Sequence, residues 1–255
     1  MKEVNDIEGV YFLGIGGIGM SALARYFIAG GFTVAGYDRT CSDITKALEQ
    51  EGCSVSYDDD TATLPPLFDD PAARERVVVV LTPAIPKESL ILNFFIEKGY
   101  TVYKRSEILG FISKETDAVA VAGTHGKTTV STMTAHILTS SGTGCLAFLG
   151  GISGNYNTNL LLGQGKLAVM EADEFDRSFL RLSPLIAVVT AIDADHLDIY
   201  GTAESMIDAY SEFCHRVRKN GTLILHEKII ASLDLPAGVN FYTYGTGEKA
   251  SFRDV

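Results

Sequence analysis

Val10-Tyr11-Phe12-Leu13-Gly14-Ile15-Gly16-Gly17-Ile18-Gly19-Met20 is the stretch that decides the fold class. Four apolar residues run straight into a G-x-G-x-x-G loop, and the residues after it, 18–29, have helix-compatible composition up to the stop at Gly30-Gly31. Glycines at such a strand-to-helix turn let backbone N–H groups approach a pyrophosphate, whose charge the helix N-terminus favours. Gly14, Gly16, Gly17, Ile18, Gly19 and Met20 are therefore candidate anion-binding residues. Taken alone, the loop suggests a dinucleotide site; a turn that serves only helix–strand packing is the plainer alternative.

Working outward, residues 33–37 form a second apolar run ending at Asp38, where an acidic residue usually meets a ribose hydroxyl. Residues 77–81 (VVVVL) read as a strand buried on both faces of a parallel sheet. Weaker strand patterns lie at 54–57 and 101–103, and 44–50 is helical. Residues 59–70, with Pro65-Pro66, read as a surface loop. Strands alternating with helices predict an α/β fold whose first domain is a Rossmann-like, doubly wound parallel sheet.

A second unit begins near Asp117, with the boundary expected within 110–116, giving domains 1–112 and 113–255. Residues 118–122 repeat the buried-strand pattern and lead into Gly123-Thr124-His125-Gly126-Lys127-Thr128-Thr129, followed by a helix over 127–140. This is the composition of a phosphate loop, with Lys127 reaching terminal phosphates and the Thr128 hydroxyl ligating Mg²⁺. The spacing is shorter than the usual P-loop, because Val121 occupies the first glycine position. Further strands are expected at 146–149, 167–170, 186–190, 222–225 and 241–244, with a helix over 206–218. The second domain is thus a P-loop-type α/β ATPase domain. The last residues, 250–255, read as the opening of another strand, so this domain is expected to be incomplete.

Glu171-Ala172-Asp173-Glu174-Phe175-Asp176 follows the apolar run 167–170, and carboxylates at a strand's carboxyl end face the ligand crevice of an α/β sheet. Hard oxygen donors beside a phosphate loop point to magnesium, although four acids are too many for one ion. Asp193-Ala194-Asp195-His196 follows the next strand and is expected to open on the same crevice, with His196 a candidate metal ligand. Residues 150–159 (GGISGNYNTN) read either as a turn held by Asn side chains or as a hydrogen-bonding surface for a sugar or carboxylate. Two anion loops in one chain suggest that ATP acts on a nucleotide-tagged substrate. A nicotinamide oxidoreductase would leave the second loop unexplained.

The chain's 255 residues are 46% hydrophobic and 21% charged, with a formal net charge of −11. That composition belongs to a globular protein. No Lys/Arg-rich block is present, which argues against nucleic acid or an anionic membrane as partner. The four cysteines lack C-x-x-C spacing, no signal-like apolar stretch opens the chain, and no run is long enough to span a bilayer, so a cytoplasmic location is expected.

Taken together, GIGGIGMSALA (14–24), GTHGKTT (123–129), GGISGNYNTN (150–159), EADEFDRSFL (171–180) and DADHLDIYG (193–201) resemble the Mur ligase family. The first loop favours the branch that adds L-alanine to UDP-N-acetylmuramate over the sibling that recycles murein tripeptides. The resemblance implies that residues 14–20 hold a UDP diphosphate and that 123–129 bind ATP. It also implies that Lys127, Glu171 and His196 are catalytic, that Thr128, Glu171 and His196 hold Mg²⁺, and that Asn157 and Thr158 lie near the muramoyl group. The implied reaction activates the substrate carboxylate as an acyl phosphate, which the amine of L-alanine then displaces. Ala191 departs from the family, many of whose members carry asparagine there. The family's third domain has no counterpart in this sequence, so a fragment with little activity of its own, or only a UDP-sugar-binding piece, is expected.

Overall fold

Gly9–Leu13 forms β1, and all five of its residues are buried, as a strand paired on both sides and covered on both faces requires. It runs parallel to β2 (Thr33–Tyr37), with Gly9 opposite Thr33, and to β4 (Val77–Leu81), with Gly9 opposite Val77. β3 (Ser54–Ser56) and β5 (Thr101–Lys104) complete an all-parallel sheet in the order β3-β2-β1-β4-β5. The strand order reverses between β1 and β4, and ligands of such sheets bind beyond the carboxyl ends at that reversal. The first glycine loop lies there in sequence, between β1 and α1 (Ile18–Ala29).

The computed structural model describes residues 7–193 and 200–253. They divide into two compact units, one of residues 1–108 with 157–160, the other of 109–156 with 161–255. The core of the first unit is aromatic. Tyr11 lies 5.0 Å from Phe95 and 5.3 Å from Phe68, ring centre to ring centre. Buried Tyr100 donates its hydroxyl to the carbonyls of Phe68 and Asp70. Helix α2 (Asp43–Gln50) starts with a capping box between Ser42 and Thr45. The segment 59–70 carries more structure than its prolines suggest. It contains a 3₁₀ turn (Thr61–Thr63) capped by Asp60 and a short helix α3 (Pro66–Asp69) with proline at its first position. Asp59 accepts from the Leu90 and Ile91 N–H groups and the Ser89 hydroxyl, anchoring the start of α4 (Leu90–Glu97).

Of the stretch 110–116, where the pattern places the domain boundary, all but the last residue is helical, as the end of α5 (Arg105–Glu115). The second sheet is built from β6 (Asp117–Ala122), β7 (Leu146–Ser153), β8 (Thr158–Leu161), β9 (Leu167–Glu171), β10 (Ile186–Val189), β11 (Thr222–His226), β12 (Asn240–Gly245) and β13 (Phe252–Arg253). Its order is β13-β12-β11-β10-β6-β9-β7-β8. The pairings from β13 through to β7 are parallel. β6 lies between β10 and β9, so the carboxyl ends of these three strands open side by side. Helix α6 (Lys127–Ser140) has the bounds expected of it, whereas α7 (Ala203–His215) starts three residues earlier than its apolar pattern does, at a Thr202 cap. The GGISGNYNTN segment is not one loop: β7 runs through both glycines to Ser153, and β8 resumes at Thr158. Arg218 ties three backbone carbonyls of the second unit together, donating to Ser183, Ser113 and Thr116.

Candidate active site

β6 ends at Ala122, and the chain turns through Gly123 and Gly126, both with positive φ (133° and 83°), before α6 starts at Lys127. Gly126 caps that helix in a left-handed conformation, which glycine adopts without cost. Gly123 is required for a second reason, since a Cβ there would lie 2.1 Å from the Thr190 hydroxyl oxygen. Thr190 follows β10 and holds the loop from below, donating to the carbonyls of Ala122 and His125. The Thr124 N–H donates to the Ala191 carbonyl at 3.0 Å. At the loop's rim the His125 Nδ1 lies 3.1 Å from Asp193 Oδ2, and the Asp193 N–H donates to the Thr124 hydroxyl.

Lys127 turns its ammonium back over this loop. It donates to the Gly123 carbonyl and to Glu174 Oε1, both at 2.8 Å. One position on, the exposed Thr128 hydroxyl lies 2.9 and 3.1 Å from the two carboxylate oxygens of Glu171, at the end of β9. Burial pushes the Glu171 carboxyl above its usual range, and the Thr128 hydrogen bond and the Lys127 charge partly offset this. Gly150 in β7 makes room for that carboxylate, because a Cβ at this position would lie 1.9 Å from Glu171 Oε2. A cavity of ≈ 440 Å³ opens beside this corner, walled in part by Thr128, Thr129, Gly151 and Tyr156.

Thr128 and Glu171 are hard oxygen donors that already converge. Among the described residues no group of three or more His, Cys, Asp or Glu side chains is arranged to hold a metal. Two protein oxygens suit Mg²⁺, which keeps several waters and is completed by substrate phosphates. The residues therefore fit a magnesium–nucleotide complex.

In the first unit, Gly14 (φ 87°) takes the sharp turn off β1, where a Cβ would lie 2.3 Å from Thr82. The Gly16 N–H donates to Asp38 Oδ2 at 2.8 Å, and Thr40 N–H donates to Oδ1. Gly17 occupies the cap position of α1 with no side-chain capping bond. The guanidinium of Arg105 lies over the first turn of α1, with Nη1 2.7 Å from where a Gly19 Cβ would be. A helix N-terminus and a guanidinium thus meet at one glycine-lined turn, a combination that suits a phosphate-type anion.

Two sequence profiles match the chain: the Mur ligase family catalytic domain over residues 9–116 and the Mur ligase middle domain over residues 121–254. The chain belongs to the Mur ligase family. It is 48% identical to the UDP-N-acetylmuramate–L-alanine ligase of Cytophaga hutchinsonii, over 98% of this chain and 54% of that protein. It is 49% identical to the ligase of the same name from Phocaeicola vulgatus, over 96% and 53%. The chain spans about half the length of the curated relatives it matches. Among solved structures, it superposes on the UDP-N-acetylmuramate-alanine ligase of Thermotoga maritima with a TM-score of 0.78 and 25% identity, covering 94% of this chain and 53% of that one. The UDP-N-acetylmuramate:L-alanyl-gamma-D-glutamyl-meso-diaminopimelate ligase from Neisseria meningitides shares the fold, with a TM-score of 0.82 at 23% identity, over 93% and 78%.

In this Mur ligase chain, Gly123, Thr124, His125, Gly126, Lys127, Thr128, Thr129 and Glu171 belong to the second-unit constellation just described. In the first unit, Gly14, Gly16 and Gly17 lie in the loop, Ile18, Gly19 and Met20 open α1, and Asp38 reaches the loop from the end of β2. His196 lies outside the described residues. Both carboxylate oxygens of Asp38 accept from backbone N–H groups, so Asp38 braces the glycine loop. Asn157 has a left-handed backbone (φ 51°), and the Thr158 hydroxyl accepts from Leu160 N–H. The next residue, Asn159, is fully buried and bonds Ile18, Ser21 and Arg25. Glu174, Thr190 and Arg105 were not singled out by motif. Arg105 had no local signal, and Glu174 was one acid among four.

Proposed function

We propose that this chain carries the substrate-binding and nucleotide-binding parts of an ATP-dependent ligase that joins L-alanine to UDP-N-acetylmuramate, in peptidoglycan precursor synthesis in the cytoplasm. The reading assigns the UDP-sugar to a domain of residues 1–112 and ATP to one of residues 113–255. The observation that carries it is the convergence of Lys127, Thr128 and Glu171 on a glycine loop, in a chain about half identical to ligases of that name. No helix of the described residues is long and apolar enough to cross a membrane.

In this reading the backbone N–H groups of residues 123–128 cradle the ATP phosphates, and Lys127 neutralises charge on the transferring phosphoryl group. Thr128 and Glu171 hold Mg²⁺, with His196 the candidate for a second ion; bound there, magnesium supplies Lewis-acid stabilisation of phosphate charge. Residues 14–20 and Arg105 hold the UDP diphosphate, and Asn157 and Thr158 face the muramoyl end. Activation of the lactyl carboxylate is chemically necessary, because a free carboxylate offers an attacking amine no viable leaving group.

Calorimetric titration tests the reading: UDP-N-acetylmuramate binds and NAD does not, while Mg·ADP binds about tenfold more weakly, though still measurably, in K127A. NAD binding without a response to the UDP-sugar would return the first loop to the dinucleotide enzymes.

A further inference from the structure

Of the acids in EADEFD, Glu174 has its side chain entirely shielded from solvent, and it contacts the loop lysine at 2.8 Å. Lys127 is itself only 14% exposed. An ammonium has three donors. Gly123 O takes one and Glu174 Oε1 a second, which leaves one N–H for a ligand above the loop.

The carboxylate's backbone is fixed as firmly as its head. The Glu174 carbonyl accepts from the Tyr200 hydroxyl at 2.7 Å and from the Arg177 N–H at 2.9 Å. The preceding Asp173 closes the turn from the other side: its carboxylate accepts from Phe175 N–H, and its carbonyl from Phe179 N–H and the Ser178 hydroxyl. This turn runs through Asp176 and Arg177 with φ of 53° and 52°, left-handed conformations that non-glycine residues keep only where the surroundings over-determine them. Glu174 is thus presented to Lys127 by a rigid segment that follows β9, the strand next to the loop's own.

We propose that Glu174 is the positioning residue of Lys127: a buried counter-charge that fixes the ammonium across the loop, leaves one donor for phosphate, and moderates its pull on bound nucleotide. The proposal rests on the nucleotide site assigned above and gives Glu174 no contact with substrate. A magnesium ligand is a different role, already filled by Glu171 three residues earlier.

Two measurements test it. In ¹H–¹⁵N spectra of the unsubstituted, ligand-free chain at low temperature and mildly acidic pH, a slowly exchanging lysine ammonium signal is expected that disappears in K127A. Absence of that signal overturns the proposal whether or not nucleotide binds. By calorimetry, E174Q keeps the acceptor and removes the charge, so Mg·ADP should bind about three- to tenfold tighter. The same substitution in a K127A background should change affinity by less than about twofold, because Glu174 acts through the lysine. Unchanged or weaker binding in E174Q, or an equal change without Lys127, refutes the positioning role. Failure of the unsubstituted chain to bind Mg·ADP overturns the nucleotide-site reading itself, and the ammonium signal then decides on the pair alone.

Discussion

Adjacent glycines 150 and 151 should respond very differently to the same substitution. A Cβ at Gly150 would lie 1.9 Å from Glu171 Oε2 and 3.0 Å from the Thr128 hydroxyl, whereas at Gly151 the nearest atom is a Thr128 methyl at 4.0 Å. In G150A something must move, and the flexible end of Glu171 moves most cheaply. The fold loses little: one hydroxyl–carboxylate bond is broken at an exposed threonine where water replaces it, about 1 kcal/mol. The Thr128–Glu171 corner, the proposed magnesium site, loses its preset geometry. Displacement of a ligand's supporting contacts typically costs 10–100-fold in metal affinity, about 1.4–2.8 kcal/mol. Calorimetry with Mg·ADP should therefore show G150A weakened by about 10–100-fold with nearly unchanged thermal stability, and G151A close to the unsubstituted chain. Equal affinities for G150A and the unsubstituted chain would mean that the Thr128–Glu171 arrangement is irrelevant to metal–nucleotide binding.

Other perturbations follow from the same geometry. R218A leaves the carbonyls of Ser113, Thr116 and Ser183 without their shared donor and should cost about 2–3 kcal/mol in urea unfolding. R105A should weaken UDP-N-acetylmuramate binding about tenfold and leave Mg·ADP binding unchanged, since the guanidinium lies over the first turn of α1. Maleimide labelling at neutral pH should modify one thiol of the native chain and four after denaturation. Cys41 is exposed, whereas burial pushes the Cys53 and Cys214 thiols up to about 12 and raises Cys145 as well. Those three stay in the unreactive protonated form until pH climbs far above the labelling range.

The strands and helices of this fold were legible because their signals are local. Residues 77–81 carry an unbroken apolar run, and α6 is bracketed by a glycine before Lys127 and another just past its end, at Gly142. What stayed hidden depends on partners distant in sequence. Nothing in EADEFD marks which acid is buried: Glu174 meets Lys127, 47 residues away. Gly150-Gly151 reads as a turn because glycine usually punctuates, yet Gly150 sits within a strand and permits close approach of a carboxylate from β9. The amide-rich stretch 155–159 offered several equivalent asparagines. Burial separates the structural one, Asn159, from Asn157 and Thr158, to which the resemblance points.

Position 191, where the resemblance leads one to expect asparagine and this chain has alanine, bears on how much sequence drift the loop tolerates. The loop uses position 191 through its main chain, as the acceptor for Thr124 N–H. Thr190, by contrast, is used through its hydroxyl, which bridges two loop carbonyls and leaves no space for a Cβ on Gly123. Of two neighbours at one strand end, the first is therefore chemically constrained and the second is free to vary without disturbing the loop's shape. Replacements accumulating along a lineage should spare the threonine and Gly123 together, as a pair that changes jointly or not at all.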